Sequence, residues 1–189
     1  MILSLLRHLM LPLRQINDFI PDSGLNYELG SGYGVISTYL ANSHSQRSVI
    51  AVDIDSQKIN LAHKKNINKN LDFVVADIHK FKLELCHGVV LSDFLHHLAY
   101  ATHEDVIKKI YSSLVRGGVL VIKEIDDNDG LRKWLSRFWD MLLYPKDRIY
   151  YRSKAEWSSL LRKYGFTISI MRTVWWFPGS SYLFICKKN

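Results

Sequence analysis

Residues 28–34 read Glu28-Leu29-Gly30-Ser31-Gly32-Tyr33-Gly34, which is the most informative stretch of the sequence. It lies between a predicted buried strand, residues 25–29, and a predicted helix, residues 35–42. Three glycines at alternate positions let the backbone turn sharply and approach a ligand closely, because a side chain there would hold the ligand away. We therefore expect a bulky ligand to lie against this loop.

The loop differs from a dinucleotide-binding loop, whose third glycine is replaced here by Val35. Its acid two residues before the first glycine and its Gly-x-Gly-x-Gly spacing resemble the first motif of class I S-adenosylmethionine-dependent methyltransferases. Glu28 would repel a pyrophosphate but attract the amino acid end and the sulfonium of S-adenosylmethionine. The resemblance implies that Glu28 works near the methionine moiety. The other loop residues assigned to this cofactor and its product S-adenosylhomocysteine are Gly30, Ser31, Gly32 and Gly34.

Two further acids follow apolar runs. Asp53 lies 23 residues after Gly30, where nucleotide-binding αβ units place the acid that binds the ribose hydroxyls. Asp77 ends a third run, and the resemblance implies that it holds the adenine amino group. Asp55 is predicted to cap the next helix instead. Next to these strand ends we also assign to the cofactor Ile54, Ile78 and Ser92.

Composition indicates one domain over residues 1–189 with a substantial core, since 48% of the residues are hydrophobic. The two cysteines, Cys86 and Cys186, have neither metal-site nor disulfide-scaffold spacing, which favours a reducing, cytoplasmic location. A net charge of +7 would suit an anionic partner but does not by itself identify one.

The N-terminal segment, residues 1–20, is predicted to be helical. Its apolar part is too short to span a bilayer and no cleavage site follows it. Two roles stay open for it: a helix packed over the cofactor site, as the family often has, and an interfacial helix in peripheral contact with a membrane. We favour the first.

Apolar runs alternate with helical patterns from residue 25 to residue 124, which predicts a mostly parallel sheet covered on both faces. Two closing strands, residues 166–173 and 181–186, complete a set of seven. The resemblance implies that they form a C-terminal hairpin with an antiparallel last strand. The fold class is therefore α/β, a Rossmann-like doubly wound seven-stranded sheet.

The alternation is interrupted by an insertion, residues 125–153, that is rich in aromatic and charged side chains. It follows a strand end, beside the ligand crevice of an open αβ sheet, so we expect it to shape a substrate pocket. We assign to the substrate Trp139, Tyr144 and Tyr150. By their spacing, Trp134 and Phe138 are expected to form a core-facing stripe.

The segment after the fourth strand reads Ser92-Asp93-Phe94-Leu95-His96-His97. It contains neither the Asn/Asp-Pro-Pro-aromatic motif of amine methylation nor the Pro-Cys motif of cytosine methylation. It is similar instead to the Leu-His-Asp-Trp segment of O-methyltransferases that act on phenols, which implies that His96 is the general base. His97 is the second candidate, because only one of two adjacent side chains should face the pocket, and Asp93 is assigned to the substrate.

We predict methyl transfer to a hydroxyl, or less readily a carbon, of a small apolar or aromatic molecule, with no metal and no DNA. The competing chemistry is a magnesium site formed by Asp93, Asp127 and Asn128, although residues 125–130 look more like a polar turn. An RNA methyltransferase and a module that binds the cofactor without turnover are the alternatives. The sequence leaves the oligomeric state open.

Overall fold

A computed structural model describes residues 11–130, 132–143, 148–173 and 180–189. Helices and strands alternate along most of this length. The elements, in chain order, are α1 Leu13–Asn17, β1 Gly24–Leu29, α2 Val35–Ser43, β2 Arg47–Asp53, α3 Ser56–Lys65, β3 Leu71–Val75, β4 Cys86–Ser92, a 3-10 turn Leu95–His97, α4 Tyr100–Ser113, β5 Leu114–Ile125, α5 Arg132–Leu143, α6 Lys154–Lys163, β6 Phe166–Arg172 and β7 Ser181–Lys188.

The strands form one seven-stranded sheet in the order β3-β2-β1-β4-β5-β7-β6. Strands β1 to β5 pair in parallel, whereas β7 runs antiparallel to both β5 and β6. The predicted Rossmann-like sheet with an antiparallel C-terminal hairpin is confirmed. Because β1 and β4 are neighbours although β2 and β3 lie between them in sequence, the strand order reverses there and opens a crevice at their carboxyl ends.

Apolar side chains cover both faces of the sheet. Helices α1 and α2 pack on one face through Ile16, Ile36 and Leu40. On the other face lie α4 and α6, the latter through the fully buried ring of Trp157. Such burial on both sides removes most of the apolar area of a parallel sheet from water and is its main source of stability.

Side-chain caps and a glycine set the ends of the helices. Asp55 caps α3 by accepting the N–H groups of Gln57 and Lys58, as predicted. Ser153 and Glu156 form a reciprocal capping box at the start of α6. Gly165 follows α6 with φ +93°, the left-handed conformation in which glycine ends a helix at little cost.

The predicted and observed elements differ in three places. The apolar pattern of residues 119–124 predicts a strand that begins at Val119, whereas β5 begins at Leu114, with a shift of register against β4. Part of the insertion forms helix α5, on which Trp134 and Phe138 are exposed, so the expectation of a core-facing stripe was wrong. Of the predicted N-terminal helix, residues 1–10 lie outside the described residues, and the later part forms the five-residue α1.

Both cysteines are buried thiols without a disulfide partner. Burial raises the pKa of the Cys86 thiol to about 12 and also raises that of Cys186, because a thiolate would lose its hydration there. A thiol group without thiolate character reacts slowly with electrophiles.

We expect a maleimide dye to leave both cysteines of the native protein unlabelled at mildly alkaline pH. Denaturant should expose the two thiols together, since they lie in one core, and mass spectrometry would count the labels. Labelling of one thiol before the unfolding transition would contradict this view of a single cooperative core.

Candidate active site at the carboxyl edge of the sheet

The glycine loop joins β1 to α2 and is held against the neighbouring strand. The N–H groups of Gly30 and Ser31 both donate to the carbonyl of Val52, at 2.8 and 3.0 Å. Gly30, Gly32 and Gly34 all have positive φ, a conformation that a side chain disfavours. The sharp turn predicted from the three glycines is therefore present.

The space beside the glycines is occupied at two positions and open at the third. A Cβ atom at Gly30 would lie 2.1 Å from the Phe94 ring, and one at Gly34 would lie 2.3 Å from the Phe73 ring. At Gly32 the nearest atom is a side-chain carbon of Lys58, 4.0 Å away. Two glycines thus accommodate rings of the protein itself, whereas Gly32 faces open space, and the ligand expected at this loop stays a prediction.

Asp53, at the end of β2, is tied to this loop. Its carboxylate accepts the N–H of Gly32 at 2.6 Å and the N–H of Asp55 at 2.9 Å. A carboxylate has about four acceptor positions, so capacity remains for hydroxyl donors. The next side chain, Ile54, is 71% exposed and offers an apolar surface beside the carboxylate.

Glu28 is buried and holds the start of α2. One carboxylate oxygen, Oε2, accepts the backbone N–H of Ser37 at 2.8 Å and also the Ser37 hydroxyl. A negative charge is favourable at this end of a helix, where the first N–H groups lack partners within the helix. Glu28 therefore places its charge directly behind the glycine loop.

Asp77 follows β3 and lies partly exposed beside the end of β2. It accepts the N–H of His79 at 2.9 Å and stabilises the turn that follows. The neighbouring Ile78 side chain belongs to the core, so a ligand could be contacted only by its backbone. The acids at the ends of β2 and β3 lie on the same edge, as the sequence predicted.

These features fit a nucleoside with a positively charged tail. The space at Gly32 can admit a ligand close to the backbone, Asp53 can accept from two hydroxyls, and Ile54 can cover a base. Glu28 supplies negative potential at the opposite side of the loop. These groups thus suit S-adenosylmethionine, whereas the negative charge of Glu28 would repel a pyrophosphate.

Asp93 and Lys123 form an ion pair at the ends of β4 and β5. The Lys123 ammonium lies 2.5 and 2.7 Å from the two carboxylate oxygens. Asp93 has φ +50°, which is strained for a residue with a side chain. Ser92, buried just before it, directs its hydroxyl to the same carboxylate at 3.5 Å. The residue assigned to the substrate is therefore engaged with a lysine of the protein.

His96 and Glu124 form a second pair, on the other face of β5. The Nδ1 of His96 lies 2.6 Å from Oε2 of Glu124, and each side chain is 1% exposed. The other oxygen, Oε1, accepts the backbone N–H of Leu95 at 2.8 Å and that of His96 at 3.4 Å. Successive side chains of a strand point to opposite faces, which is why Lys123 and Glu124 serve different partners.

Two rings lie against the His96 ring, the imidazole of His97 and the phenol of Tyr151. The partly exposed His97 ring lies 4.4 Å from it, centroid to centroid, and the Tyr151 ring stacks on it at 5.7 Å. The backbone N–H of Tyr150 donates to the His96 carbonyl at 2.7 Å. Residues 148–153, which we call the return limb of the insertion, thus pack on the loop that holds His96 and His97.

The return limb is anchored through His103, a buried residue of α4. Its Nε2 lies 2.8 and 2.9 Å from the carbonyls of Leu95 and Leu98, while Arg152 donates to Nδ1 at 3.0 Å. These partners match a neutral imidazole with the proton on Nε2. Burial lowers the pKa of His103, which agrees with the neutral form.

Several of the residues named from the sequence lie together at this edge, and the structure adds others. The structure brings together His96, His97 and Tyr150 and adds Glu124 and Tyr151, which had not been assigned. Glu124 lies two residues after the apolar run 119–122, and an acid so close to a predicted strand is the signal that could have identified it. Tyr144 lies outside the described residues, and Trp139 is described only as part of the backbone of α5.

The acids of the alternative magnesium site are held by cations. Asp93 binds Lys123, and Asp127 lies 2.5 Å from a guanidinium nitrogen of Arg137. Among the residues that the structure describes, no three His, Cys, Asp or Glu side chains are grouped closely enough to hold a metal ion.

Comparison with known proteins identifies the family of this chain. Residues 27–122 match the methyltransferase domain family. The chain is 32% identical to a carboxy-S-adenosyl-L-methionine synthase of Psychrobacter over 52% of its own length and 39% of the relative. It is 28% identical to a malonyl-[acyl-carrier protein] O-methyltransferase of Priestia megaterium, over 50% of this chain and 34% of the relative. The chain thus spans less than half the length of these curated relatives.

Solved structures share the fold at low identity. Human N-acetylserotonin methyltransferase in complex with S-adenosylmethionine superposes with a TM-score of 0.76 at 17% identity, covering 95% of this chain and 52% of that one. Magnesium protoporphyrin IX methyltransferase from Synechocystis gives 0.74 at 20% identity, with 94% and 82% covered. The chain belongs to the methyltransferase domain family, and its assignment to the class I S-adenosylmethionine-dependent methyltransferases is confirmed.

Proposed function

We propose that this chain transfers a methyl group to a hydroxyl of a small apolar or aromatic molecule, with His96 as the general base. The observation that carries the proposal is the buried pair of His96 and Glu124, joined at 2.6 Å beside the crevice. S-adenosylmethionine supplies the methyl group on a sulfonium, from which it is displaced in line by a nucleophile. The protein must then orient the acceptor and remove its proton.

The proposed cofactor contacts follow from the edge of the sheet. Asp53 binds the ribose hydroxyls, Asp77 binds the adenine amino group and Ile54 covers the adenine ring. The open side of Gly32 admits the sugar and the methionine tail, whose positive charge faces Glu28. Supporting positions in the same crevice are Gly30, Ser31, Gly34, Ile78 and Ser92.

The proposed base is oriented by Glu124. A carboxylate only accepts hydrogen bonds, so Nδ1 of His96 carries the proton toward Glu124 and Nε2 is the atom that can take a proton from the acceptor. Glu124 also stabilises the imidazolium that then forms, because the pair lies out of water. His96 is only 1% exposed, so a neighbouring ring must move before an acceptor can reach its Nε2. The partly exposed ring of His97 is the nearest one that could move and guide the acceptor.

We expect His96→Ala to lower kcat by about 100-fold or more, because a positioned base contributes that much to proton removal. Glu124→Gln should change kcat in the same direction, since it removes the charge that stabilises the imidazolium. A labelled-methyl screen of phenols, lipids and RNA would first identify an acceptor for the assay. Calorimetric binding of S-adenosylhomocysteine would check that each variant is folded. His63→Ala, an exposed histidine of α3, is the matched control.

Unchanged turnover in the His96→Ala variant would rule out this base. Labelling of RNA alone would favour the nucleic-acid alternative. Binding of S-adenosylhomocysteine without methylation of any acceptor in the screen would favour the module without turnover.

Asp53→Asn should weaken S-adenosylhomocysteine binding by about 10- to 100-fold, the value of hydrogen bonds from two hydroxyls to a charged acceptor. The asparagine keeps the size of the side chain and one oxygen for the Gly32 N–H. Asp72→Asn, on the exposed side of β3, removes the same charge without touching the crevice. Calorimetry would measure both, and equal affinities in the two variants would contradict the ribose role.

Substitutions of the two glycines should separate packing from ligand binding. Gly30→Ala should lower the free energy of unfolding by about 2 to 4 kcal/mol, because the Phe94 ring must move and the positive φ is strained. Gly32→Ala should cost only about 1 kcal/mol of strain while weakening S-adenosylhomocysteine binding. Denaturant unfolding and calorimetry measure these effects, and full affinity in Gly32→Ala would place the ligand elsewhere.

A further inference from the structure

Helix α5 carries an apolar face that is open to solvent. Its exposed side chains are Trp134 at 59%, Leu135 at 44%, Phe138 at 55% and Met141 at 62%. Residues 134, 138 and 141 are four and three apart, so they lie along one side of the helix, with residue 135 beside them. Four large apolar side chains in one strip are more than the isolated exposed residues that a protein surface usually shows.

Basic side chains border this face. The Lys133 ammonium lies 5.8 Å from the centre of the Trp134 ring, and the Arg137 guanidinium lies 5.4 Å from it. Arg132 is exposed at the start of the helix, and Asp140 is the only acid in the sequence of α5. Arg137 is fixed by Asp127, which leaves Arg132 and Lys133 as the cations available to a partner in solution.

We propose that α5 docks this protein on the surface of an anionic lipid bilayer. Tryptophan, phenylalanine and leucine on one side and cations at its border are the side chains that an interfacial helix uses. Twelve residues make a helix about 18 Å long that would lie in the plane of the interface. None of the helices within the described ranges is long and apolar enough to cross a bilayer.

Charge favours a bilayer of anionic lipids as the occupant. The chain carries a net charge of +7, so a negative surface attracts the whole molecule as well as the helix. Lys133 lies over the Trp134 ring, so its aliphatic part can remain in apolar contact while its ammonium meets the headgroups. A lipid surface requires no complementary shape, only apolar side chains that can insert.

The location of α5 connects this surface to the crevice. Helix α5 follows β5 at the same edge as Glu124, so docking would bring the candidate site close to the lipid surface. An apolar acceptor held in the membrane could then reach the site without crossing water. The docking surface does not depend on the proposed chemistry and is tested separately from it.

The test is co-sedimentation of the whole chain with vesicles of two compositions, phosphatidylcholine alone and phosphatidylcholine with one quarter phosphatidylglycerol. We expect binding to the anionic vesicles that weakens as salt is added, because screening reduces the attraction between exposed charges. Absence of binding, or equal binding to both vesicles, would overturn the proposal.

Two double variants locate the contact. Arg132→Gln with Lys133→Gln should lower the partition coefficient by about 30-fold, at about 1 kcal/mol for each cation. Phe138→Ser with Met141→Ser should lower it on its own, at constant charge. The matched controls are Lys64→Gln with Lys65→Gln and Leu61→Ser with Ile67→Ser, which remove exposed residues around α3 and should each bind more tightly than the corresponding α5 variant.

All variants should bind S-adenosylhomocysteine like the parent protein, which shows that they are folded. If a control pair weakened vesicle binding as much as its α5 pair, the contact would not be local to α5. Sedimentation velocity tests a second copy of the chain as the occupant. A dimer that the Phe138→Ser and Met141→Ser substitutions dissociate would overturn the lipid assignment.

Discussion

The fold and the candidate site both rest on the parallel pairing of β3, β2, β1, β4 and β5. Parallel strands end at one edge of a sheet, so side chains that follow different strands converge there. Asp53, Asp77, Asp93 and Glu124 each end or follow one of these strands. Their order in the sheet, and not their order in the sequence, determines which of them become neighbours.

Buried charge makes this edge specific. An ionised carboxylate out of water is costly unless it is paired and hydrogen-bonded. The Glu124 carboxylate meets that requirement through the His96 imidazole and two backbone N–H groups. The Asp93 carboxylate meets it through the ammonium of Lys123. The end of β5 therefore holds the loop after β4 at two points, one on each face of the strand. This contact places His96 where the proposed reaction needs a base.

The predictions from sequence succeeded where a local pattern reports a local structure. Alternating apolar runs indicated the sheet, and the Asp55 cap was recognised from residue type. The prediction for Trp134 and Phe138 failed because helical spacing shows that residues share a face, but not whether that face meets the core or solvent. The beginning of β5 was missed because Gly117 and Gly118 interrupt its apolar pattern.

Local residue patterns were enough to predict the fold class, the sharp turn at residues 28–34 and the acids at the strand ends, since each depends on residues close together in the chain. The partners of those groups became known from the three-dimensional arrangement of the chain. His96 meets Glu124 and Asp93 meets Lys123 across separations of 28 and 30 residues. Likewise, Phe94 and Phe73 occupy the space beside two glycines and leave Gly32 open. Long-range contacts of this kind follow from strand order and side-chain direction, which a local pattern does not record.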